Sequence, residues 1–371
     1  MTYKPRILIL ADPYGMPSYA PRLRFLCDYL ADKGYSISVY TEAFQPHDFP
    51  HAYPIHEKPI RKGTFHWAFR SFWSLLTDYR NRSFSTWVQK QISGQCYDVV
   101  FCTTFSTFPL RAAAEVARKR NLPLLTDIRD VEEQVAGEQY QGHRQWWVRP
   151  FRRWYKIANV RRRNRVLRIA DCVTTISPWH VDFIRRFNPN VRLIYNGYDP
   201  AQFYPKDMPT DVFLITYIGK IYEFQSLSPI ERAVRELNIS DIQLNLHTPD
   251  RNTIPFTAVG DELRRSSVAV VLTNPNAHGM MTTKFFEALG CEKPILCVPS
   301  DEGCLAQTIH ETNAGIATVD MEEIKAFILE KYHEWKTHGF TRQPVINKSQ
   351  FSRTHQAEQF EQLFLQLTDH Q

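Results

Sequence analysis

Twice along this 371-residue chain, short apolar runs of strand character alternate with segments whose apolar residues recur at helical spacing. "RILILA" (6–11) leads into "PRLRFLCDYLADKG", where Leu23, Leu26 and Leu30 share a helix face and Gly34 ends the run; "YSISVYT" follows as a strand. Strands at 98–103, 122–127, 172–176 and 191–195 and helices at 109–120 and 178–187 continue the pattern. "NGYDPAQFYPKDMPTD" (196–211) then interrupts it with Asn-Gly and three prolines. A second round has strands at 212–219, 242–247, 268–273 and 294–299, helices at 228–237, 260–266 and 283–290, and helices from there to the end. This predicts an α/β protein of two doubly wound parallel sheets, each sandwiched by helices. The expected division is 1–196, a linker at 197–211, a second domain at 212–345, and a helix over 346–371 that packs back on the first domain. Ligands of such sheets gather outside the carboxyl ends of the strands, so a cleft between the two sheets is the expected site.

The composition, 43% hydrophobic and 23% charged, is that of a folded chain. No apolar run approaches the roughly 20 residues of a membrane span, and Met1–Lys4 leads straight into a strand, so a cytoplasmic protein is expected. The seven cysteines are scattered, without a Cys-x-x-Cys pair, and read as buried free thiols rather than a metal cluster. Charge is unevenly spread. Residues 1–200 carry 30 Lys+Arg against 17 Asp+Glu (+13), and the remainder 15 against 22 (−7), which sums to +6.

Two features of the second half carry chemistry. "YIGK" puts Gly219 and Lys220 at the carboxyl end of its first strand, where a cation can neutralise a phosphate. "MTTKFFEALGCEKPIL" (281–296) opens a helix, so the Met281–Lys284 amides lie where free N–H groups and the helix dipole attract anions. Glu287, three residues after Lys284, can accept hydrogen bonds from the hydroxyls of an attached sugar. The alternative is a threonine cap followed by an ordinary (i, i+3) surface ion pair, and local physics leaves both open.

In the first half, "LLTDIRDVEEQ" ends a strand with Asp127, Arg129 and Asp130, either a structural ion-pair network or part of a site. From His143 to Arg168 the chain has ten Lys+Arg and no acid, with Trp146, Trp147, Arg152, Arg153, Trp154 and Tyr155 interleaved. "RKGTFHWAFRSFWSLLTDYRNRSFSTW" is similarly mixed, with Phe65, Trp67, Phe69, Phe72 and Trp73. Such helices suit an anionic membrane surface. They also suit a core-packed helix with solvated arginines, or a nucleic-acid surface, though no nucleic-acid fold signature accompanies them.

"TTKFFEALGCEKPILCVPSDEG" resembles the segment of retaining, two-domain GT-B glycosyltransferases of family 4 in which a lysine precedes a glutamate by three residues and Lys-Pro and a strand follow. "ISPWHVDFIRRF", "VRLIYNGYDPAQF", "ITYIGKIY" and "RLRFLCDYLADKGYSISVYT" resemble other elements of that family in order, so the resemblance spans most of 6–310. It implies that Glu287 holds the donor ribose, that Lys220 contacts the diphosphate, and that Thr282, Thr283 and Lys284 lie beside it. It also implies that Gly15 sits in a loop facing the donor and gives "Asp-x-Arg-Asp" at Asp127, Arg129 and Asp130 a functional sense. Two positions depart from the pattern: the family's usual glutamate eight residues before Glu287 falls at Gly279, and a second phosphate-binding base meets Gln225. A branch with Gly-x-x-Thr-x-Lys at this place is the nearer likeness. No Asp-x-Asp is present, so the expected reaction is metal-independent, with retention implied by the resemblance alone.

The expected function is transfer of a sugar from a UDP-, GDP- or dTDP-linked donor to a lipid-linked or growing saccharide acceptor in bacterial cell-surface polysaccharide synthesis. The enzyme would be peripheral on the anionic inner face of the cell membrane and need no cofactor. Lys220, with Asp127, Arg129 and Asp130, forms the expected catalytic set. Two alternatives are a GT-B sugar-nucleotide epimerase and a non-catalytic membrane or nucleic-acid binding protein on the same fold.

Overall fold

The computed structural model describes residues 3–17, 20–43, 49–60, 63–105, 107–134, 149–274 and 276–369. The chain divides into two compact units, Met1–Ile194 with Ala357–Gln371, and Tyr195–Gln356.

In the first unit, seven strands form one parallel sheet. They are β1 (Ile7–Ala11), β2 (Ile37–Glu42), β3 (Ile55–Lys58), β4 (Val99–Thr104), β5 (Leu124–Ile128), β6 (Cys172–Thr175) and β7 (Val191–Leu193). Their order is β3-β2-β1-β4-β5-β6-β7, so the winding direction reverses between β1 and β4. Strand residues alternate between two cores, as a period of two requires. Leu8, Leu10, Val100 and Cys102 join one core, under α3 (Tyr79–Gln91), α4 (Leu110–Arg120) and the end of α5 (Arg152–Leu167). Ile7, Ile9, Val99 and Phe101 join the other, under α1 (Pro21–Asp32) and the C-terminal residues Ala357, Phe360, Leu363 and Phe364. Helix α2 (Thr64–Thr77) precedes α3, and α6 (Pro178–Ile184) lies between β6 and β7.

The second unit has a five-stranded parallel sheet of β8 (Phe213–Ile218), β9 (Ile242–His247), β10 (Val268–Leu272), β11 (Ile295–Val298) and β12 (Gly315–Ala317). Its order is β12-β11-β10-β8-β9, with the reversal between β8 and β10. Its helices are α7 (Ser228–Leu237), α8 (Val259–Arg265), α9 (Thr283–Gly290), α10 (Cys304–Glu311) and α11 (Met321–His338); α12 (Arg353–Thr368) ends the chain. Here too both faces are buried, Ala269 and Val271 on one side and Val268 and Val270 on the other.

Two strands lie outside the sequence expectation. β3 and β12 are edge strands with half-buried residues, and neither has an apolar run to announce it. Residues expected as linker contribute Tyr198 and Phe203 to the core of the second unit, packed against Gly290. Among the cysteines Cys96 is exposed and Cys304 half-buried; the other five are buried, and all seven are free.

Candidate functional site

At the reversal point of the second sheet, β8 runs into Gly219, whose φ of +129° is open to glycine and strained for other residues. The absence of a side chain there matters a second time. A Cβ on Gly219 would lie 2.4 Å from Lys284 Cε, so the Lys284 stem crosses the glycine backbone and brings its ammonium 5.6 Å from the centre of the Tyr217 ring. Burial lowers the Lys284 pKa, with Glu287 opposing. The adjacent Lys220 is exposed, 5.5 Å over the Tyr222 ring, and has no acidic partner among the described residues. The Tyr217 hydroxyl donates to the Lys220 carbonyl at 2.8 Å and fixes the turn.

Helix α9 begins after Thr282, which is extended and makes no side-chain cap. The first-turn amides therefore have no capping oxygen from that residue, and they carry the positive end of the helix dipole. Glu287, one turn in, is half-buried and forms no ion pair with Lys284 or with any other described residue. The surface ion pair that local physics allowed is thus not formed. Burial pushes the Glu287 carboxyl up to about 7, against the pull of Arg353 and Lys284. Gln225, at the place of a second phosphate-binding base, holds the loop instead: its amide donates to Leu272 O at 2.9 Å and its oxygen accepts from Tyr222 N–H at 3.1 Å. Gly279 is buried in a loop that Cys304 clasps through the His278 carbonyl at 2.9 Å.

In the first unit the carboxyl ends of β1, β2, β4 and β5 gather charged side chains. Asp127 is 1% exposed, and Arg22 (3.0 Å), Thr174 (2.7 Å) and Thr103 (3.0 Å) occupy both its oxygens. Its ion-pair partner is thus Arg22, from α1, and not the neighbouring Arg129. Arg129 lies 4.1 Å over the Phe105 ring, while Asp130 is exposed. Gly15 is buried in the turn after β1, where its N–H donates to Asp12 O at 2.8 Å. Asp12 itself is buried, its carboxylate accepting the Tyr14 N–H at 2.8 Å. Neither Asp12 nor Arg22 stands out in the sequence, because each is a single charge among ordinary neighbours.

Glu42, at the end of β2, is 1% exposed and pairs with Arg70 of α2 and Arg80 of α3. Burial alone would raise this carboxyl, but Arg80 and Arg70 together carry it below the usual range. Arg70 thereby faces the body of the unit while the aromatics of α2 face outward: Phe65 is 79% exposed, and Trp67, Phe69, Phe72, Trp73 and Leu76 are exposed too. Two hydrogen bonds from Arg162 of α5, to Ser74 O (2.8 Å) and Leu75 O (2.6 Å), and one from the Tyr155 hydroxyl to Ser71 O hold the polar side of α2 in place. On α5, Trp154 and Arg153 are exposed and Arg152 half-buried; Trp146 and Trp147 lie outside the described residues. Among the described residues no helix is long and apolar enough to cross a membrane.

Residues 19–197 match the family described as "Glycosyl transferase 4-like domain". No curated protein matches the sequence. Among solved structures, a sucrose-phosphate synthase from Thermosynechococcus elongatus has a TM-score of 0.71 at 18% identity, over 99% of this chain and 100% of that one. Anabaena HepE, solved in complex with UDP-glucose, has a TM-score of 0.61 at 12% identity, over 97% and 99%. WaaG, a glycosyltransferase involved in lipopolysaccharide biosynthesis, has a TM-score of 0.53 at 14% identity, over 96% and 95%. The fold is GT-B.

Proposed function

We propose that this chain moves a sugar from a nucleoside-diphosphate donor, bound at the carboxyl end of the second sheet, to a lipid-linked or saccharide acceptor bound by the first unit. The observation that carries this reading is Glu287: a half-buried carboxylate with no hydrogen-bond or ion-pair partner among the described residues, one turn inside a helix start that lacks a side-chain cap. A ribose supplies the hydroxyl donors such a group lacks, and the α9 amides with Lys220 and Lys284 receive the diphosphate. During transfer the bond from the anomeric carbon to the diphosphate oxygen breaks, and an acceptor oxygen takes its place. Charge grows on the leaving diphosphate, and fixed donors aimed there lower the barrier. The reading is of a metal-independent transfer, with retention taken from the family resemblance alone. HepE was solved with UDP-glucose, which supports a uracil-based donor ahead of guanine- or thymine-based ones.

The outward aromatic face of α2 and the basic α5 support work at an anionic membrane surface, as cell-surface polysaccharide synthesis requires. A soluble epimerase has no use for that face, and a non-catalytic binding protein has none for the Glu287 arrangement. The test is a thermal-shift panel of uridine, guanosine, thymidine and cytidine diphosphates. One of them should raise the melting temperature, and Glu287→Ala should abolish most of that rise. An undiminished shift in the variant would refute the ribose assignment.

A further inference from the structure

On its helical face the first unit has an open groove between α4 and α5. Arg111, Glu115 and Arg118 line one wall, and Arg162, Arg165 and Ile169 line the other. Each set falls three or four positions apart on its helix, so two side-chain stripes face one another. Ala114 and Val166, both buried, leave room between them. The space is about 180 Å³, against the roughly 10–15 Å³ that admits one water molecule. A phosphate with its ester carbons fits there.

Among the described residues, two acids lie within ion-pair distance of these arginines. Glu115 takes Arg111 Nε at 2.9 Å, and the buried Asp78 lies 3.4 Å from Arg111 and 3.7 Å from Arg162. Arg118 and Arg165 are exposed and have no hydrogen bond or ion pair with any described residue. Four arginines against two carboxylates leave two positive charges in the groove. Arg111 and Arg165 both bear on Arg162 as like charges. Neighbouring acids do not answer the excess. Helix α5 contains none, Glu115 is the one acid of α4, Glu133 is held by Arg163 at 2.6 Å, and Asp171 accepts the Leu124 N–H at 2.7 Å.

We propose that this groove receives the phosphate of an anionic phospholipid while the first unit lies on a bilayer. Guanidinium forks match the geometry of phosphate oxygens, and basic residues near an anionic leaflet are drawn to it. The apolar side chains around the groove favour a lipid over a nucleic acid. Ile169, on the rim, is 61% exposed. Arg162 ties the other end of the groove to α2 through Leu75 O, and the next residue, Leu76, is 58% exposed near the outward Phe72 and Trp73. The interfacial region of a bilayer covers such side chains, whereas a nucleic-acid strand leaves the aliphatic ones in water. The proposal rests on the membrane part of the proposed function and is independent of its transfer chemistry.

The experiment is flotation of the full chain with vesicles of phosphatidylcholine alone and of phosphatidylcholine and phosphatidylglycerol in equal parts. Wild type should bind the mixed vesicles and not the neutral ones. The double variant Arg118→Gln with Arg165→Gln should bind them about tenfold more weakly than the control Arg161→Gln with Arg168→Gln, which removes the same charge outside the groove. Exposed residues without partners contribute little to stability, so both double variants should melt close to the wild-type temperature. The single variants Arg118→Gln and Arg165→Gln, milder still, should each show part of the loss. Equal losses from the two double variants would leave a diffuse basic surface in place of a site and overturn the proposal. Wild type that ignored both kinds of vesicle would take the membrane reading down with it. Undiminished binding by the groove variant, with binding lost when Phe69, Phe72 and Trp73 are replaced by serine, would remove the groove alone. A mixed-sequence single-stranded oligonucleotide that bound more tightly than the vesicles, and lost its binding in the groove variant, would reassign the groove to nucleic acid.

Discussion

Gly219 shows how a single missing side chain sets the local geometry at the carboxyl end of β8. Its backbone conformation and the Lys284 stem lying across it both exclude a Cβ. Gly219→Ala should therefore cost about 1–3 kcal/mol of stability, the usual size of such backbone strain, in urea unfolding. It should also lower nucleoside-diphosphate affinity about tenfold or more, because Lys284 has to leave its place. Unchanged affinity would mean that the Lys284 position is irrelevant to binding. "YIGK" and "TTKFFE" were each legible as sequence, since both are local patterns at element ends. That Lys284 packs on Gly219, 65 positions earlier, was not, because contact between distant residues leaves no periodicity. Asp127 and Arg129 make the same point in reverse. Two positions apart in sequence, they read as one network or one site, yet Asp127 pairs with Arg22 while Arg129, past the end of β5, lies over Phe105.

Helix α2 carries its apolar stripe on the wrong side for a core helix. Phe65, Phe69, Phe72, Trp73 and Leu76 recur at helical spacing and face outward, whereas Arg70, Ser71 and Ser74 engage Glu42 and α5. The period of this helix was readable from sequence, but its direction was not, because an amphipathic pattern does not say which face meets the protein. Replacing Phe69, Phe72 and Trp73 together by serine should leave stability within about 1 kcal/mol of wild type. The same changes in a core helix would cost about 3–5 kcal/mol per aromatic. The triple variant should also lose flotation with phosphatidylglycerol vesicles at low salt. Strong destabilisation would mean that the stripe is covered by protein after all. The edge strands β3 and β12 were illegible for a related reason: a strand paired on one side needs no apolar run on both faces.

At the scale of the whole molecule, the two rounds of alternating strands and helices gave the two sheets directly, and the excess of Lys and Arg before residue 200 falls in the first unit. The last helix, expected to pack back on the first domain, belongs to the first unit, although its apolar pattern alone does not choose between the sheets. Phe360, Leu363 and Phe364 form an apolar stripe that either sheet could use, and they close the second core of the first unit, with Phe364 5.5 Å edge-on to Phe101. Phe364→Ala should cost that unit about 3–5 kcal/mol, measured by urea unfolding, and a cost below 1 kcal/mol would show that this segment is dispensable. The discontinuity also sets a schedule. On the ribosome, the β-sheet of the first unit emerges with the surface around Phe101 uncovered, and Ala357–Phe364 is made only after the entire second unit, Tyr195–Gln356, has been translated. At about 5–20 residues per second, that nascent apolar surface waits on the order of ten to thirty seconds for its cover, which makes it a natural landing place for a chaperone during synthesis.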